Sequence, residues 1–199
     1  MGLVDLLHEW DQVLTLLINS LHCWWSDHLF LFFSKKWIWV PLYVLIAYFL
    51  FRRLGWKKAL VAVLSVGLTI VACDQFANVL KYGVARLRPC YDSFMLENGL
   101  HMLEGRGSLF GFFSAHAADA FGLAASSIYA FRNDPQRPYR KYRWMILVWA
   151  VLIAVSRVFA GKHYFGDVLV GALVGTGFGL LFGWLARWVI RNYIEKPAA

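Results

Sequence analysis

The chain has 199 residues; 60% are hydrophobic, only 16% are charged, and the formal net charge is +8. A soluble domain carries about a quarter charged residues, and a chain this short cannot hide so much apolar side chain from water. The composition excludes a soluble globule, a disordered chain and a collagen-like repeat. It leaves an integral membrane protein, whose +8 reports orientation and anionic ligands rather than a nucleic-acid partner, because the cations are spread along the chain.

Residues 3–22 place Leu3, Leu6, Leu7, Trp10, Val13, Leu14, Leu17, Ile18 and Leu21 on one helical stripe, with Asp5, Glu9, Asp11, Gln12 and Asn19 opposite. The pattern predicts an amphipathic helix lying in the interface; a first spanning helix fits nearly as well. No basic stretch precedes the apolar residues, so no cleavable signal is expected. Trp24, Trp25, Phe30, Phe32, Phe33 and Trp37 form an aromatic boundary of the kind found at membrane interfaces. Apolar spans are predicted at Trp37–Phe51, Ala59–Leu80, Phe112–Phe131, from Trp144 through Val155 and a few residues beyond, and at Tyr164–Ile190. The expected fold is an all-α polytopic membrane bundle of five spans, or six if the N-terminal helix crosses. We expect one membrane-embedded unit over 1–199, with an N-terminal helical section over 1–34.

Arg52, Arg53, Lys57 and Lys58 lie in one connection, Arg132, Arg137, Arg140, Lys141 and Arg143 in another, and Arg187, Arg191 and Lys196 in the tail. Two spans separate each group from the next, so all share one side. They are twelve of the twenty Lys and Arg residues, and the positive-inside rule places them in the cytoplasm. The long connection from Lys81 to about Gly111 and the turn from Arg157 to Gly166 then face outward. Gly171, Gly175, Gly179 and Gly183 recur every four residues, a stripe that admits a close neighbouring helix. The alanines between Ala115 and Ala125 suggest similar close packing.

Three strings therefore meet on the outer face: Lys81 to Arg88 and Pro89; Phe113-Ser114-Ala115-His116; and Ser156-Arg157 through His163 to Asp167. Lys81, Arg88 and Arg157 supply three fixed cations, and arginine's planar fork matches phosphate oxygens. Ser114 stands at an N-cap position, so the first-turn amides of the third span, including that of Ala115, point at the same place. Such a cup suits a tetrahedral anion and the charge of a phosphoryl-transfer transition state. His163 and Asp167 are spaced i, i+4, so the carboxylate can hold the imidazole in one tautomer; His163 is the expected nucleophile. His116 is the expected general acid and then base. A zinc site built from His116, His163 and Asp167 is disfavoured, because three cations would repel the metal.

These strings resemble the signature of the type 2 phosphatidic acid phosphatase superfamily: Lys-six-Arg-Pro, Pro-Ser-Gly-His and Ser-Arg-five-His-three-Asp. Lys81, Arg88 and Pro89 meet the first; Ser156, Arg157, His163 and Asp167 meet the third. In the second, Phe113 and Ala115 replace Pro and Gly, while Ser114 and His116 remain. The signature region runs over 81–167. The resemblance implies metal-independent removal of phosphate from a lipid phosphate or pyrophosphate, without a cofactor. Phosphate would be bound by Lys81, Arg88, Arg157, Ser114 and the Ala115 amide, and His163, His116 and Asp167 would carry the chemistry. It points to undecaprenyl diphosphate, phosphatidylglycerol phosphate or a lipid A phosphate as substrate, in a bacterial inner membrane with the site on the periplasmic face. A vanadate-dependent haloperoxidase-like enzyme and a non-catalytic lipid-phosphate binding or transport protein are the alternatives.

The remaining residues of chemical interest carry no such pattern. Cys73 reads as packing, and Cys23 and Cys90 read as free thiols, although both fall on the outer side and a bridge between them is the alternative. His8, His22, His28 and His101 receive no role. Asp119 either supports His116 or makes a polar contact with Asn78 or another helix. The oligomeric state is not legible.

Overall fold

The computed structural model describes residues 2–195, and their regular elements are helices, with one isolated bridge between Leu87 and Phe110. The N-terminal section expected over 1–34 is two helices, α1 (Leu3–Asn19) and α2 (Trp24–Ser34). Leu21 and His22 continue in turns, and Cys23 is extended and caps α2, so the helix expected over 3–22 stops at Asn19 and four residues separate it from α2. A 3-10 turn at Lys36–Trp39 leads into α3 (Val40–Leu54), with Pro41 in the first turn where no intrahelical N–H bond is lost. Gly55, at φ +75°, makes the sharp joint to α4 (Trp56–Val84). The outer connection carries a 3-10 turn at Pro89–Tyr91 and the short helix α5 (Ser93–Glu97). α6 (Ala115–Phe131), α7 (Arg140–Phe159) and α8 (Phe165–Val189) complete the bundle, α8 running on through a π-turn at Ile190–Ile194.

Among the described residues, four segments are long and apolar enough to cross a membrane: Lys36–Leu54, Trp56–Val84, Arg140–Phe159 and Phe165–Ile194. Four of the expected spans stop short at their charged ends, because hydropathy falls there while helical hydrogen bonding continues; the one expected at Phe112–Phe131 begins three residues early, since its helix starts at Ala115 after the Ser114 cap. α6, the remaining expected span, has 17 residues and is the most enclosed helix; most of its residues are buried among α4, α7 and α8. α1 is not among the helices long and apolar enough to cross. Lys196, counted with the basic tail, lies outside the described residues.

The packing is inverted relative to a soluble protein. On α4, Ala59, Ala62, Ser65, Thr69, Cys73 and Ala77 are buried, while Leu64, Leu68, Val71 and Val79 are exposed. In lipid there is no hydrophobic drive between helices, so small residues that allow backbones to approach hold the inside. The glycine stripe of α8 does this against α6, which it meets in parallel. A Cβ on Gly171 would lie 2.5 Å from the Ser114 carbonyl oxygen, and one on Gly179 would lie 2.6 Å from that of Gly122. This fit fixes the first turn of α8 beside the first turn of α6.

α1 reverses the usual rule again. Leu3, Val4, Leu7, Trp10, Val13 and Leu17 are exposed, whereas Gln12, Thr15 and Asn19 are buried. The polar side faces the bundle and closes two helix ends. Asn19 Nδ2 donates to the Val158 and Phe159 carbonyls at 3.1 and 3.2 Å, where α7 ends. Thr15 Oγ1 and Asp11 Oδ1 accept the Phe165 and Gly166 amides at 2.9 and 2.8 Å, where α8 begins. Helix ends leave such groups unsatisfied, so α1 braces the turn 160–164 from outside. The aromatic boundary splits: Trp24, Trp25 and Trp37 are exposed, while Phe30 packs on Phe159 and Phe33 on Trp39.

Candidate active site

Lys81 leaves in the last turn of α4, where a left-handed Ala85 ends the helix. The chain then pairs briefly with its own return: Arg88 N–H donates to the Leu109 carbonyl and Gly111 N–H to the Arg86 carbonyl, at 3.1 and 2.9 Å. This short ladder fixes Arg88, which is buried, its Nε donating to the Phe110 carbonyl at 3.2 Å and its Nη2 to Ser108 Oγ at 2.8 Å. Gly111 is required there, because a Cβ would meet Arg88 Cγ at 2.8 Å.

Ser114 is the N-cap of α6, its Oγ accepting from the Ala117 amide at 3.4 Å, and its own amide donates to the Asp167 carbonyl at 3.0 Å. That bond ties the second string directly to the third. The Phe113 that stands in place of the motif proline is fully buried, and Ala115 adopts the helix, so its amide is presented in the first turn as expected. Arg157 lies in the last turn of α7 and is 96% buried; one guanidinium nitrogen donates to Ser34 Oγ, and the same nitrogen lies 3.6 Å from Glu104 Oε1.

His163 sits in the turn between α7 and α8 and is almost fully buried, with its Nδ1 3.6 Å from Asp167 Oδ2. Among the described residues this Nδ1 has no hydrogen-bond partner. Burial first, and then the charges of Arg88, Arg157 and Lys81, hold the His163 imidazole well below its usual pKa, so the ring is neutral. His116, in the first turn of α6, lies within electrostatic range of His163, Arg157 and Lys81. The three strings thus converge: Ser114, two residues before His116, and Arg86, between Lys81 and Arg88, both bond to Asp167, four residues after His163. A neutral buried imidazole, a carboxylate behind it and three cations around it can deliver a nucleophile to a bound phosphoryl group and neutralise its oxygens.

Several contributors were not read from sequence. Arg86, passed over between Lys81 and Arg88, donates through Nη1 to Asp167 Oδ1 and through Nη2 to Asp11 Oδ2, both at 2.8 Å. Its guanidinium lies over the Tyr164 ring, 4.0 Å from the centroid. Asp167 therefore has Arg86 on one oxygen and the Tyr164 amide, at 3.2 Å, with His163 on the other. Asp11, Thr15 and Asn19 repeat every four residues along the N-terminal helix. That stripe of hydrogen-bonding groups was the available signal that α1 serves the site. Glu104 and Ser34 gave none, since only the folded loop brings them to Arg157. Asp119 accepts from Lys36 Nζ at 3.0 Å, with Asp74 3.9 Å from the same nitrogen, so it pairs with a cation at the mouth of the site rather than with Asn78. Cys23 is exposed, Cys90 buried, and both are free.

Two adjoining cavities of about 260 and 40 Å³ share Lys36, Tyr43 and Asp119; the smaller reaches His116, and the larger is lined by Trp37, Val40 and Ile70 from α3, α4 and the turn before them. A larger cavity of about 620 Å³ lies between α1 and α8 and touches Arg86 but neither His116 nor His163.

The match to known proteins follows the same residues. The family model of the PAP2 superfamily matches residues 58–192, which include all three strings. The chain is 38% identical over 178 residues to a lipid A 4'-phosphatase of Bacteroides thetaiotaomicron, covering 87% of this chain and 75% of the relative. It is 30% identical over 173 residues to a lipid A 4'-phosphatase of Porphyromonas gingivalis, covering 86% and 71%. The crystal structure of a transmembrane PAP2 type phosphatidylglycerolphosphate phosphatase from Bacillus subtilis superposes with a TM-score of 0.68 at 21% identity, over 97% of this chain and 90% of that one, a likeness of fold. With the family model covering well over half its length and carrying each of the converging strings, the chain belongs to the PAP2 superfamily.

Proposed function

We propose that this membrane protein hydrolyses the phosphate of a membrane lipid through a phosphohistidine, on the periplasmic face of a bacterial inner membrane. The observation that carries the reading is the buried His163 with Asp167 Oδ2 3.6 Å behind its Nδ1 and the cations Lys81, Arg88 and Arg157 brought to the same end of the bundle. In this mechanism the far ring nitrogen, Nε2, attacks phosphorus while the bond from phosphorus to the lipid oxygen breaks. His116, which takes up a proton as the anionic phosphate binds beside it, gives that proton to the oxygen, releasing the lipid alcohol, or the lipid monophosphate from a pyrophosphate. A water then attacks the phosphohistidine, His116 takes its proton, and phosphate leaves. Positive charge on the His163 ring during attack draws Nδ1–H onto Asp167, closing the 3.6 Å approach into a hydrogen bond.

The general acid must stand beside the leaving group, so the lipid body extends on the His116 side. The cavities from His116 past Lys36 and Tyr43 to the flank between α3 and α4 are the portal this requires. The relatives' names favour the 4'-phosphate of lipid A as substrate. The test is phosphate release in detergent from lipid A, phosphatidylglycerol phosphate and undecaprenyl diphosphate, with and without EDTA. Release that survives EDTA at 25 °C and is lost in His163→Ala is expected. Turnover retained in His163→Ala would remove the phosphohistidine, and substrate binding without release in the parent would favour a transport or binding protein.

A further inference from the structure

Away from the phosphate cup, three metal-ligating side chains from distant parts of the chain converge. His22 lies in the turn after α1, Asp27 in the first turn of α2, and His101 at the start of the loop that carries Glu104 and Ser108. The His22 and His101 rings stack with centroids 3.8 Å apart and planes 10° from parallel. His101 Nε2 lies 3.0 Å from Asp27 Oδ2. One ligand atom from each of the three residues lies within 4.8 Å of the other two. Bonds of about 2.1 Å to a tetrahedral ion hold ligand atoms about 3.4 Å apart, so small side-chain rotations bring all three onto one ion.

A hydrogen bond between His101 and Asp27 explains one nitrogen and one oxygen of this cluster. It leaves Asp27 Oδ1 buried with no partner among the described residues and gives no reason for a second imidazole laid over the first. The supporting backbone is already fixed. The His101 amide donates to Asn19 Oδ1 at 2.8 Å, and its carbonyl accepts from Asn19 Nδ2 at 3.0 Å.

We propose that His22, Asp27 and His101 bind a divalent transition-metal ion, with water completing the shell. Two imidazoles and one carboxylate suit Zn²⁺ and its neighbours rather than Ca²⁺ or Mg²⁺, which take mostly oxygen. The ion ties the turn between α1 and α2 to the loop whose Glu104 meets Ser34 and Arg157, whose Ser108 meets Arg88, and whose Gly105 carbonyl meets Lys162. It anchors the cover of the site and takes no part in the phosphoryl chemistry.

The full chain, carrying an affinity tag without histidine, is stripped with EDTA in detergent and titrated calorimetrically with ZnCl2, with melting followed in parallel. One ion per chain and a raised melting temperature are expected. His101→Ala and Asp27→Asn each weaken binding by at least about tenfold, the loss seen when even an outer-shell partner is removed. His28→Ala, on the same helix as Asp27 but outside the cluster, binds as the parent does. If either cluster variant fails to fold, His22→Gln, in an exposed turn, takes its place. Absence of saturable binding in the parent overturns the site, as does parental affinity in the cluster variants or an equal loss in His28→Ala. The readout is the metal alone, so this result and the phosphatase assay fail independently.

Discussion

Arg86→Met tests whether the acid behind His163 is held by a residue outside the family signature. Arg86 is the only group that donates a side-chain hydrogen bond to Asp167 among the described residues, at 2.8 Å, and Asp167 is fully buried. Methionine keeps the stem's volume and removes the charge. A hydrogen bond to a charged group contributes about 1.5–3 kcal/mol, so if that contact orients Asp167 toward His163, kcat falls roughly 10- to 150-fold. KM changes little, because Arg86 lies behind Asp167 rather than among the cations of the cup. Removing one partner of a buried ion pair also costs about 3–5 kcal/mol of stability, which a melting curve in detergent reads. Asp11→Asn separates the two effects. It weakens the other arm of Arg86, 2.8 Å away, and keeps an oxygen for the Gly166 amide, so it lowers the melting temperature while kcat stays near the parental value. The assay is steady-state phosphate release across substrate concentrations for both variants and their double mutant. A folded Arg86→Met with parental kcat would refute a positioning role. A loss confined to KM would make Arg86 a substrate-binding group instead.

Two further outcomes follow from the electrostatics of the cup. In the proposed mechanism His163 attacks as a neutral ring, and burial, then Arg88, Arg157 and Lys81, hold its pKa well below the ordinary imidazole value. The acid limb of kcat/KM therefore falls below the ordinary imidazole range, and Arg88→Gln, which removes a cation that disfavours the protonated ring, moves that limb to higher pH; a limb that stays or moves down contradicts the reading. Glu104 lies 3.6 Å from Arg157, with side-chain exposures of 26% and 5%, so under the proposed function it competes with an incoming phosphoryl group for that guanidinium. Glu104→Gln should tighten inhibition by vanadate about fivefold, the equivalent of about 1 kcal/mol for a partly exposed pair, and unchanged or weaker inhibition would show that Glu104 does not oppose the anion.

Much of the site was legible because its residues are bound to local spacing. His163 and Asp167 are four apart and meet at 3.6 Å across the start of α8. Ser114 stands one residue before an apolar helix and caps it. The glycine stripe states its own purpose, since nothing larger than hydrogen fits against the α6 backbone. The less legible groups act across the chain. Arg86 reaches Asp11 75 residues away and Asp167 81 residues away. Asn19 reaches His101 and Val158, 82 and 139 residues away. Two of the four histidines left without a role, His22 and His101, stack where the Asn19–His101 hydrogen bonds bring α1 and the outer loop together.

By itself the sequence determined that the chain lives in a membrane, that its helices pack through small residues, and which three strings lie at the same depth. Composition and period suffice for this, because lipid demands apolar helices and each span returns the chain to the opposite surface. Only the tertiary structure decided which way α1 faces, how Asp167 is held, and what lies over Arg157. These depend on buried polar groups finding partners far along the chain, and such pairings leave no local period to read.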